Sequence, residues 1–547
     1  MRIRVPYRIL RHGPILLSLV MVLGFLSCSN PLSTTLDILF DASNRPEADC
    51  DWRYGHAIAL DTVITVNFSK DMDASTLVLG GTMESEATAV WTSKRTLELS
   101  SDAGWSDHDE HTITVQCADS EGLFCQFDRI FGTVDGVLYV SPEGATWGSG
   151  RRDDPLDTIN DAISMAWDVY PGVPGIEIRV AEGVYENFAA SGTAVQVMDG
   201  QQLLGGWSLD FTARDPSLYT SVIDGQWDDE GTFNAALVIK DCGIATLVDG
   251  FSIIGIRETY GDSTVLYLES SSATIRNNRL YAYHGTVLEA FDFSGSIEGN
   301  DLVSWADSSI DLFVTGGSSS IYGNNITSNS MSWKTTVWLT ATDLVFDSNS
   351  INLKTGDVGV EHIAVYIAHG NPVIRNNVID AGIAGENVAI ENASASPDIV
   401  NNTILCGSGS IAIHGSGSRT IAIRNYSIFG SSTFPSNPRV INNLLIATGE
   451  NDPNHLLFED LTPGSGAIEC SDNSYEGFAQ GLPSAADGNF DTPGLLNTLD
   501  LQTWELTASS PAEVQTGGQD LSVEFQSDMN GSTRPAGAWS RGAFQWL

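Results

Sequence analysis

A carboxylate and a guanidinium that could act together on a sugar occur at Asp347 and Arg375, at equivalent positions in two successive copies of a short repeat. Elimination from a uronic acid requires a basic side chain beside carboxylates that hold calcium against the acid group of the substrate. Asp343 lies nearby in the sequence. Opposite charges in contact, however, stabilise each other's ionised forms, which makes a poor acid and a poor base. We therefore interpret the couple as a surface ion pair and predict no catalytic residue.

Histidines offer no better catalytic site. Hydrolysis of a glycosidic bond usually requires two spaced carboxylates. His369 in AHG (368–370) and His414 in IHG (413–415) lack a neighbouring pair of aspartates, and the chain has neither the Gly-His-Gly nor the Arg-Ile-Lys stretch of polygalacturonases. We expect both histidines to be turn or outward-facing residues.

Calcium and sugar rings are the remaining candidate ligands. The acidic strings RRDD (151–154) and WDDEG (227–231) could help to bind calcium but lack the alternating ligand spacing of a dedicated loop. The sequence therefore predicts no cofactor, with calcium as the one candidate. Trp305 and Trp333 fall between copies of the repeat, where an exposed indole could stack on a sugar, although tryptophans are more often packed.

The elements that position these residues come from a repeat, of which VIRNNVID (373–380) is one copy. Eight copies align on a column that holds Asn278, Asn300, Asn324, Asn349, Asn377, Asn402, Tyr426 and Asn443. Successive spacings are 22, 24, 25, 28, 25, 24 and 17 residues, and a period in that range indicates a solenoid. Tyr426 interrupts the column, and the short spacing after it predicts an irregular coil.

Each copy has the pattern of a strand, a sharp turn and a second strand. The residue three before the column is aliphatic or Phe, and the residue two after it is Leu or Ile, so both should face a core. The residue just before the column is Asn, Gly or Ser, which tolerate left-handed backbone geometry best. The residue before that varies freely, as an outward position should. Stacked coils would let each column amide donate to one neighbour and accept from the other, which predicts an asparagine ladder.

This pattern resembles the right-handed parallel β-helix of pectate-lyase-like proteins. LYVSPEGATWGSGRRDDPLDTINDAISMA (138–166) and 203–225 resemble the opening of DUF1565-type β-helix proteins, with Pro155 in the first turn of an amphipathic helix that covers the open end of the core. Residues 509–547 are similar to a C-terminal segment of surface-anchored β-helix proteins and should plug the last coil. We predict an all-β chain with a right-handed parallel β-helix at 137–495 and a C-terminal cap at 496–547.

The stretch before the β-helix alternates apolar and polar residues, as in VITVNF (63–68) and TITVQC (112–117), with turn residues between the runs. Its VNFSKDMDAST (66–76) resembles bacterial Ig-like domains. We therefore predict a small Ig-like β-sandwich at 46–133, a type of domain that usually acts as a spacer. Cys50, Cys117 and Cys125 could supply one disulfide, whereas Cys242, Cys406 and Cys470 are expected to be core residues.

The first 27 residues carry four arginines and the apolar run ILLSLVMVLGFL, which is typical of a signal peptide. FLSC resembles a bacterial lipobox, which implies a lipid on Cys28, a linker at 28–45 and an anchor in the outer membrane. Cleavage would leave 22 basic against 69 acidic residues, a formal charge of −47. A field of that sign repels nucleic acid.

These observations predict a lipid-anchored cell-surface protein whose rigid acidic β-helix is not an enzyme and binds a glycan or a protein, or has an architectural role in the envelope. The alternative is a polysaccharide lyase or glycoside hydrolase that acts on an acidic polysaccharide. The fold itself does not decide between them, because pectate-lyase-like folds host both enzymes and non-enzymes.

Overall fold

The structure is a computed structural model that describes residues 45–50, 57–106, 111–134, 136–146, 148–169, 174–186, 195–225, 235–255, 263–305, 310–329, 334–353, 361–382, 386–406, 419–426, 438–447, 452–460, 469–482, 487–500, 502–537 and 539–545. Its internal contacts divide the chain into two compact units, which meet in sequence between Asp135 and Gly136. Cys28 and the rest of residues 1–44 lie outside the described ranges.

The N-terminal unit contains two four-stranded sheets. Its strands are β1 (Ala48–Cys50), β2 (Ala57–Ala59), β3 (Ile64–Phe68), β4 (Met72–Gly80), β5 (Thr88–Ser93), β6 (Thr96–Ser100), β7 (His111–Asp119) and β8 (Phe124–Val134). The orders are β1-β3-β6-β5 and β2-β8-β7-β4, antiparallel except where β2 meets β8. Alternate residues such as Ile64 and Val66 face a shared core, which is the period-two pattern seen in the sequence.

Cysteines of this unit differ from the prediction of a disulfide. Cys117 and Cys125 lie directly opposite each other on β7 and β8, yet both are free thiols, and Cys50 belongs to the same core. Burial raises the pKa of Cys117 to about 12, with the neighbouring Cys125 as a second cause. Cys242 and Cys406 are also buried, and Cys470 is half-buried.

The second unit is a right-handed parallel β-helix with three sheets. The first sheet contains β9 (Val137–Ala145), β10 (Ile176–Ala181), β13 (Gln201–Trp207), β16 (Leu247–Asp249), β19 (Thr274–Arg276), β22 (Ser296–Glu298), β25 (Ser320–Tyr322), β28 (Val345–Asp347), β31 (Val373–Arg375), β34 (Asp398–Val400), β37 (Arg439–Ile441) and β40 (Glu469–Ser471). Strands of one sheet are neighbours in space but one coil apart in sequence, and every neighbouring pair is parallel, as between β19 and β22.

Each coil continues into a second and then a third sheet. The second sheet contains β11 (Gly183–Glu186), β14 (Ser221–Asp224), β17 (Phe251–Ile254), β20 (Arg279–Ala282), β23 (Asp301–Ser304), β26 (Asn325–Ser328), β29 (Ser350–Leu353), β32 (Val378–Asp380), β35 (Thr403–Cys406), β38 (Leu444–Ala447), β41 (Ser474–Glu476) and β43 (Phe490–Asp491). The third sheet contains β12 (Val195–Val197), β15 (Ala235–Lys240), β18 (Thr264–Glu269), β21 (Thr286–Phe291), β24 (Ile310–Thr315), β27 (Lys334–Thr342), β30 (Glu361–Gly370), β33 (Glu386–Ala393), β36 (Arg419–Tyr426), β39 (Asp452–Asp460) and β42 (Phe478–Gln480).

Helix α1 (Ile159–Val169) packs against β9, β10 and β12 of the first coil. Its buried residues are Ile159, Ala162, Ile163 and Ala166, which is the apolar face read from the sequence. Thr158 caps the helix by accepting a hydrogen bond from the backbone N–H of Asp161 at 3.1 Å. Pro155 therefore precedes the helix rather than lying in its first turn, because the capping residue sets the start.

The asparagine column forms a continuous hydrogen-bonded ladder inside the turns that join the first and second sheets. Each backbone N–H donates to the Oδ1 of the next asparagine at 2.8–3.1 Å, and each Nδ2 donates to the same atom at 2.9–3.2 Å. The second hydrogen of each Nδ2 is bound by a backbone carbonyl of the preceding coil, as for Asn324 and Ile297. Every ladder amide is therefore fully paired although it is buried.

The ladder differs from the aligned column at its C-terminal end. Tyr426 ends β36 in the third sheet, so IRNYSI is not a copy of the turn and Asn425 is not a turn residue. Asn402 instead bonds directly to Asn443, 41 residues later, and the coil between them is long rather than short. The ladder then continues through Asn473 and Asn489, which the alignment missed. At its other end it begins at Phe251, whose N–H donates to Asn278.

Candidate functional site

One edge of the β-helix, which we call the turn flank, consists of the turns between the first and second sheets. The residue before each ladder asparagine has a positive φ there, for example 55° at Asn376, 62° at Gly299 and 66° at Gly323. Two parts of the chain outside the coils pack on this flank. They are the first covering segment, residues 208–220 between β13 and β14, and the C-terminal segment, residues 496–545.

The first covering segment attaches to the flank through Asp249. Arg276 and Asn277, one coil further on, donate to the Asp249 carboxylate at 2.8 and 3.1 Å, and Arg214 of the covering segment contacts it at 3.2 Å. Burial alone would raise the pKa of Asp249, but these donors hold it below the usual value. Arg276 thus pairs with Asp249 of the preceding coil, although Glu298 is its register partner on the following strand.

The C-terminal segment attaches through the same arrangement around Asp347. Arg375 and Asn376 donate to this carboxylate at 2.7 and 3.0 Å, and Arg534 donates to the Oδ1 of Asn376 at 3.1 Å. The ring of Phe525 lies 4.7 Å from the Arg375 guanidinium. Asp347 and Arg375 are therefore mostly covered and help to hold the C-terminal segment, so they are not a pair on the open surface.

Further along, the C-terminal segment covers outward residues that are apolar. Val400 and Ile441 pack with Leu521, Phe525 and Trp539, and all are buried. The outward position of the repeat is therefore constrained here, contrary to the expectation of free variation. The segment lies along the flank of several coils instead of plugging only the last one, and Asn401 and Asn442 both donate to its carbonyls.

Trp539 and Arg541 are buried residues that fix this segment to the coils. Trp539 meets the Phe525 ring edge-on at 5.0 Å. Arg541 donates to the carbonyl of Asn473 and to the hydroxyl of Ser474, both at 3.0 Å. These contacts fix the segment to the last coils and leave both side chains inaccessible.

Between the two covers, the second sheet presents outward side chains that neither cover reaches, and we call this surface the open face. Its accessible outward side chains are Arg279, Tyr281, Asp301, Asn325, Thr327, Ser350 and Asn352. Val303, the outward residue between Tyr281 and Thr327, is buried. Asn325 donates to Asp301 at 2.8 Å, and Arg279 approaches the same carboxylate at 3.4 Å while its side chain stays 63% exposed. Donors and acceptors are thus held in place but remain accessible.

A groove of about 350 Å³ lies where the open face meets the first covering segment. Its lining includes Pro216 of the first covering segment and the polar residues Asn277, Arg279 and Asp301. Gly250 stands at its base with φ 84°, and an added Cβ there would lie 2.8 Å from Pro216. Glycine is therefore needed for the close approach of the covering segment that forms one wall.

An exposed tryptophan borders the other end of the same strands. Trp305 directly follows β23 and is 49% exposed, with its ring 6.3 Å from that of Tyr281. Tyr281 in turn contacts Tyr283 edge-on at 4.9 Å. The four residues of β20 or β23 span about 13 Å, so the indole and the groove flank a surface of the length of a short oligosaccharide. Such a surface can stack one sugar ring of an oligosaccharide on Trp305 and bind the hydroxyls of another ring, at the far end of the strands, with Asp301, Asn325 and Arg279.

Other residues considered from the sequence do not join this surface. Asp343 accepts two hydrogen bonds from Asn371 at an exposed turn, and Asp154 accepts one from the N–H of Ser149. His369 lies near the C-terminal end of β30, where it is half-buried and has a φ of 63°. His414, Trp333 and residues 227–231 lie outside the described ranges.

Neither a metal-binding cluster nor a membrane-spanning helix is present among the described residues. No group of three or more His, Cys, Asp or Glu side chains is arranged there to bind a metal ion. None of the helices in those ranges combines the length and the apolar character needed to cross a membrane.

Comparison with known proteins agrees with the fold. Residues 263–428 match a family model described as a right-handed beta helix region, and this range contains the open face. No curated protein matches the chain.

Among solved structures, the chain is similar to an LD transpeptidase in complex with imipenem, with 13% identity, 18% of this chain and 44% of that chain covered, and a TM-score of 0.13. It is also similar to an L,D-transpeptidase from Mycobacterium smegmatis, with 16% identity, 18% and 46% coverage, and the same TM-score. The chain spans less than half the length of these structures, and superpositions this weak carry no argument about fold or activity.

Proposed function

We propose that this protein binds a glycan on the open face of its β-helix and does not cleave it. The observation that carries the proposal is the combination of an exposed Trp305 with three accessible hydrogen-bonding side chains on a surface that the described residues leave accessible between the two covers. The Asp301 carboxylate accepts a hydrogen bond from Asn325 and is paired with Arg279. These contacts keep it ionised and fixed in place, so that it can accept hydrogen bonds from sugar hydroxyl groups.

We further propose that the protein is a lipoprotein of the outer membrane or cell surface. The support is the basic start, the apolar run and Cys28, followed by Ser29 rather than Asp. In this proposal the Ig-like domain acts as a spacer and the β-helix is held away from the bilayer. Cys28→Ala should release the protein from the membrane fraction and abolish acyl labelling, and unchanged fractionation would count against the anchor.

Binding is tested with purified full-length protein on a glycan array, followed by titration of every ligand that the array detects. Trp305→Ala should weaken the binding of at least one of these ligands at least tenfold, because a stacked aromatic anchor commonly contributes more than about 1.4 kcal/mol. Trp167→Ala is the matched control, since Trp167 on α1 is 45% exposed but lies far from the open face in the coil order. Equal affinity of both variants and the parent would remove the open face from consideration.

Catalysis is the alternative, and the same protein tests it. Pectate, alginate and uronic-acid glycosaminoglycans are incubated with and without calcium, and unsaturated products and reducing ends are followed. We expect neither to form. Reproducible turnover that a single substitution on the open face abolishes would replace the binding proposal with a lyase or a hydrolase.

A further inference from the structure

The third sheet carries a second group of aromatic side chains on its outer surface. Tyr267, Phe291, Phe313, Trp338 and Tyr366, which we call the aromatic column, come from five successive coils. Neighbouring ring centroids lie 5.5, 5.5, 6.0 and 4.7 Å apart, so the rings form one continuous contact chain. All five are half-buried and therefore keep part of their surface in solvent.

Strand register explains the path of the column. Phe313, Trp338 and Tyr366 are direct partners on adjacent strands. Glu289 occupies the position between Tyr267 and Phe313, and Phe291, two residues later, bridges the gap diagonally. Four coil steps of about 4.8 Å give the column a length of about 19 Å parallel to the β-helix axis, whereas across the strands it is only one or two side chains wide.

Ring orientation leaves aromatic faces accessible. Rings stacked face to face would present only their edges to solvent, but the planes of successive rings are inclined by 38°, 50°, 59° and 62°. Each ring thus leaves part of a face uncovered by its neighbour. Such partial faces suit the C–H surface of a pyranose ring, because the negative face of an aromatic ring attracts the weakly positive hydrogens.

Charges around the column disfavour an anionic ligand. Glu289 lies within the column, and Glu391 is the strand partner of Tyr366, although Arg424 lies opposite Glu391 on the next strand. Glu269, next to Phe291, is paired with Lys240 at 2.8 Å. The formal charge of the whole chain is −43, and a field of that sign repels a polyanion but not an uncharged chain.

We propose that the aromatic column is a second carbohydrate-binding surface, which takes an uncharged polysaccharide chain lying parallel to the β-helix axis. It is a different surface from the open face and does not depend on it. A protein partner fits less well, since a stable interface usually buries about 800 Å² on each side and this strip is about one side chain wide.

The test uses full-length protein in affinity electrophoresis and calorimetry with cellohexaose, xylohexaose and mannohexaose, and with hexagalacturonate as the anionic counterpart. At least one neutral hexasaccharide should bind, and hexagalacturonate should bind at least tenfold more weakly. Trp338→Leu and Phe313→Leu keep apolar contact area but remove an aromatic face, so each should weaken binding at least fivefold with little change in melting temperature. Trp305→Ala should leave this binding unchanged.

Several results would overturn the proposal. They are no binding of any neutral hexasaccharide, equal or tighter binding of hexagalacturonate, and undiminished binding by a folded Trp338→Leu, Phe313→Leu double variant. Dimerisation in analytical ultracentrifugation that the same double variant abolishes would show that the column is an interface between two copies. These outcomes do not depend on the open face. They keep the same meaning even if Trp305→Ala leaves every glycan affinity unchanged.

Discussion

The turn flank has a covered part and an open part, although the same ladder runs beneath both. Under the C-terminal segment, the residues before the ladder are Asn376, Asn401 and Asn442, and each uses its side chain to hold that segment. At the centre of the open part the corresponding residues are Gly299 and Gly323, which have no side chain to offer. One coil geometry thus supports two surfaces.

The outward residues, two positions before each ladder asparagine, differ in the same way between the covered and the open part. Val400 and Ile441 are apolar and buried under the cover, whereas Glu298 and Tyr322 occupy the equivalent positions of the open part and are accessible. The ladder and the inward residues thus specify the coil, while the residues at the left-handed and outward positions specify whether its surface is covered or accessible. A residue's position in the repeat therefore predicts whether its replacement should affect folding or binding.

Replacing Arg534 should give the largest effect, because it tests how firmly the cover is held. Its side chain is buried and donates to Asn376, Ser540, Gly542 and Ala543. Arg534→Ala removes these hydrogen bonds from buried acceptors and the volume of the side chain, and should lower the free energy of unfolding by about 3–5 kcal/mol. Urea denaturation measures it, with Arg279→Ala on the open face as the control that should change stability by less than about 0.5 kcal/mol. Similar losses of stability in both variants would contradict the distinction between covered and accessible surfaces.

Replacing each of two adjacent asparagines in turn should separate an effect on folding from an effect on binding within a single coil. Asn324 makes four side-chain hydrogen bonds in the ladder, so Asn324→Ala should cost about 3 kcal/mol of stability. Asn325 is exposed on the open face, and Asn325→Ala should cost less than about 0.5 kcal/mol while weakening glycan binding. Thermal unfolding and glycan titration of both variants measure this, and a reversed order would mean that the strand register is wrong.

The smallest effect is expected at Gly323. An added Cβ would lie 3.8 Å from the nearest atom, the N of Gly299, and asparagine accepts φ near 66° better than most residues. Gly323→Asn should change stability by less than about 0.5 kcal/mol but reduce glycan affinity several-fold, because it narrows the approach to the open face. Gly531→Asn, at a positive-φ site in the C-terminal segment with no atom within 4 Å, is the control. Unchanged affinity would mean that the ligand does not approach this turn.

Much of the coil could be read from the sequence because its signals are local. Inward aliphatics at fixed offsets, a left-handed residue and one asparagine recur within six residues, and Asn278 to Asn402 were found that way. The method failed at Tyr426, since IRNYSI imitates the motif inside a third-sheet strand and the true coil between Asn402 and Asn443 is 41 residues long. Because the loops between strands differ in length, no fixed repeat period predicts where every coil begins.

The two surfaces were harder to predict because they depend on residues distant in sequence. Trp305 was noticed as a single tryptophan, but its setting beside Tyr281 requires the stacking of two coils. The aromatic column was missed, although an aromatic residue recurs in TVLYLE, TVLEAF, IDLFVT and TTVWLT. Apolar Val400 and Ile441 at outward positions were the available signal for the C-terminal cover.

The ladder also makes the length of the molecule adjustable in whole units. Because the side chain of a ladder asparagine such as Asn324 bonds only within its own coil and to the two adjoining coils, duplicating or deleting one complete coil between two ladder positions leaves no amide unpaired. Each such event would lengthen or shorten the open face and the aromatic column by one strand spacing, about 4.8 Å. Gene duplication within the repeat can therefore match these surfaces to longer or shorter oligosaccharides without redesign of the core.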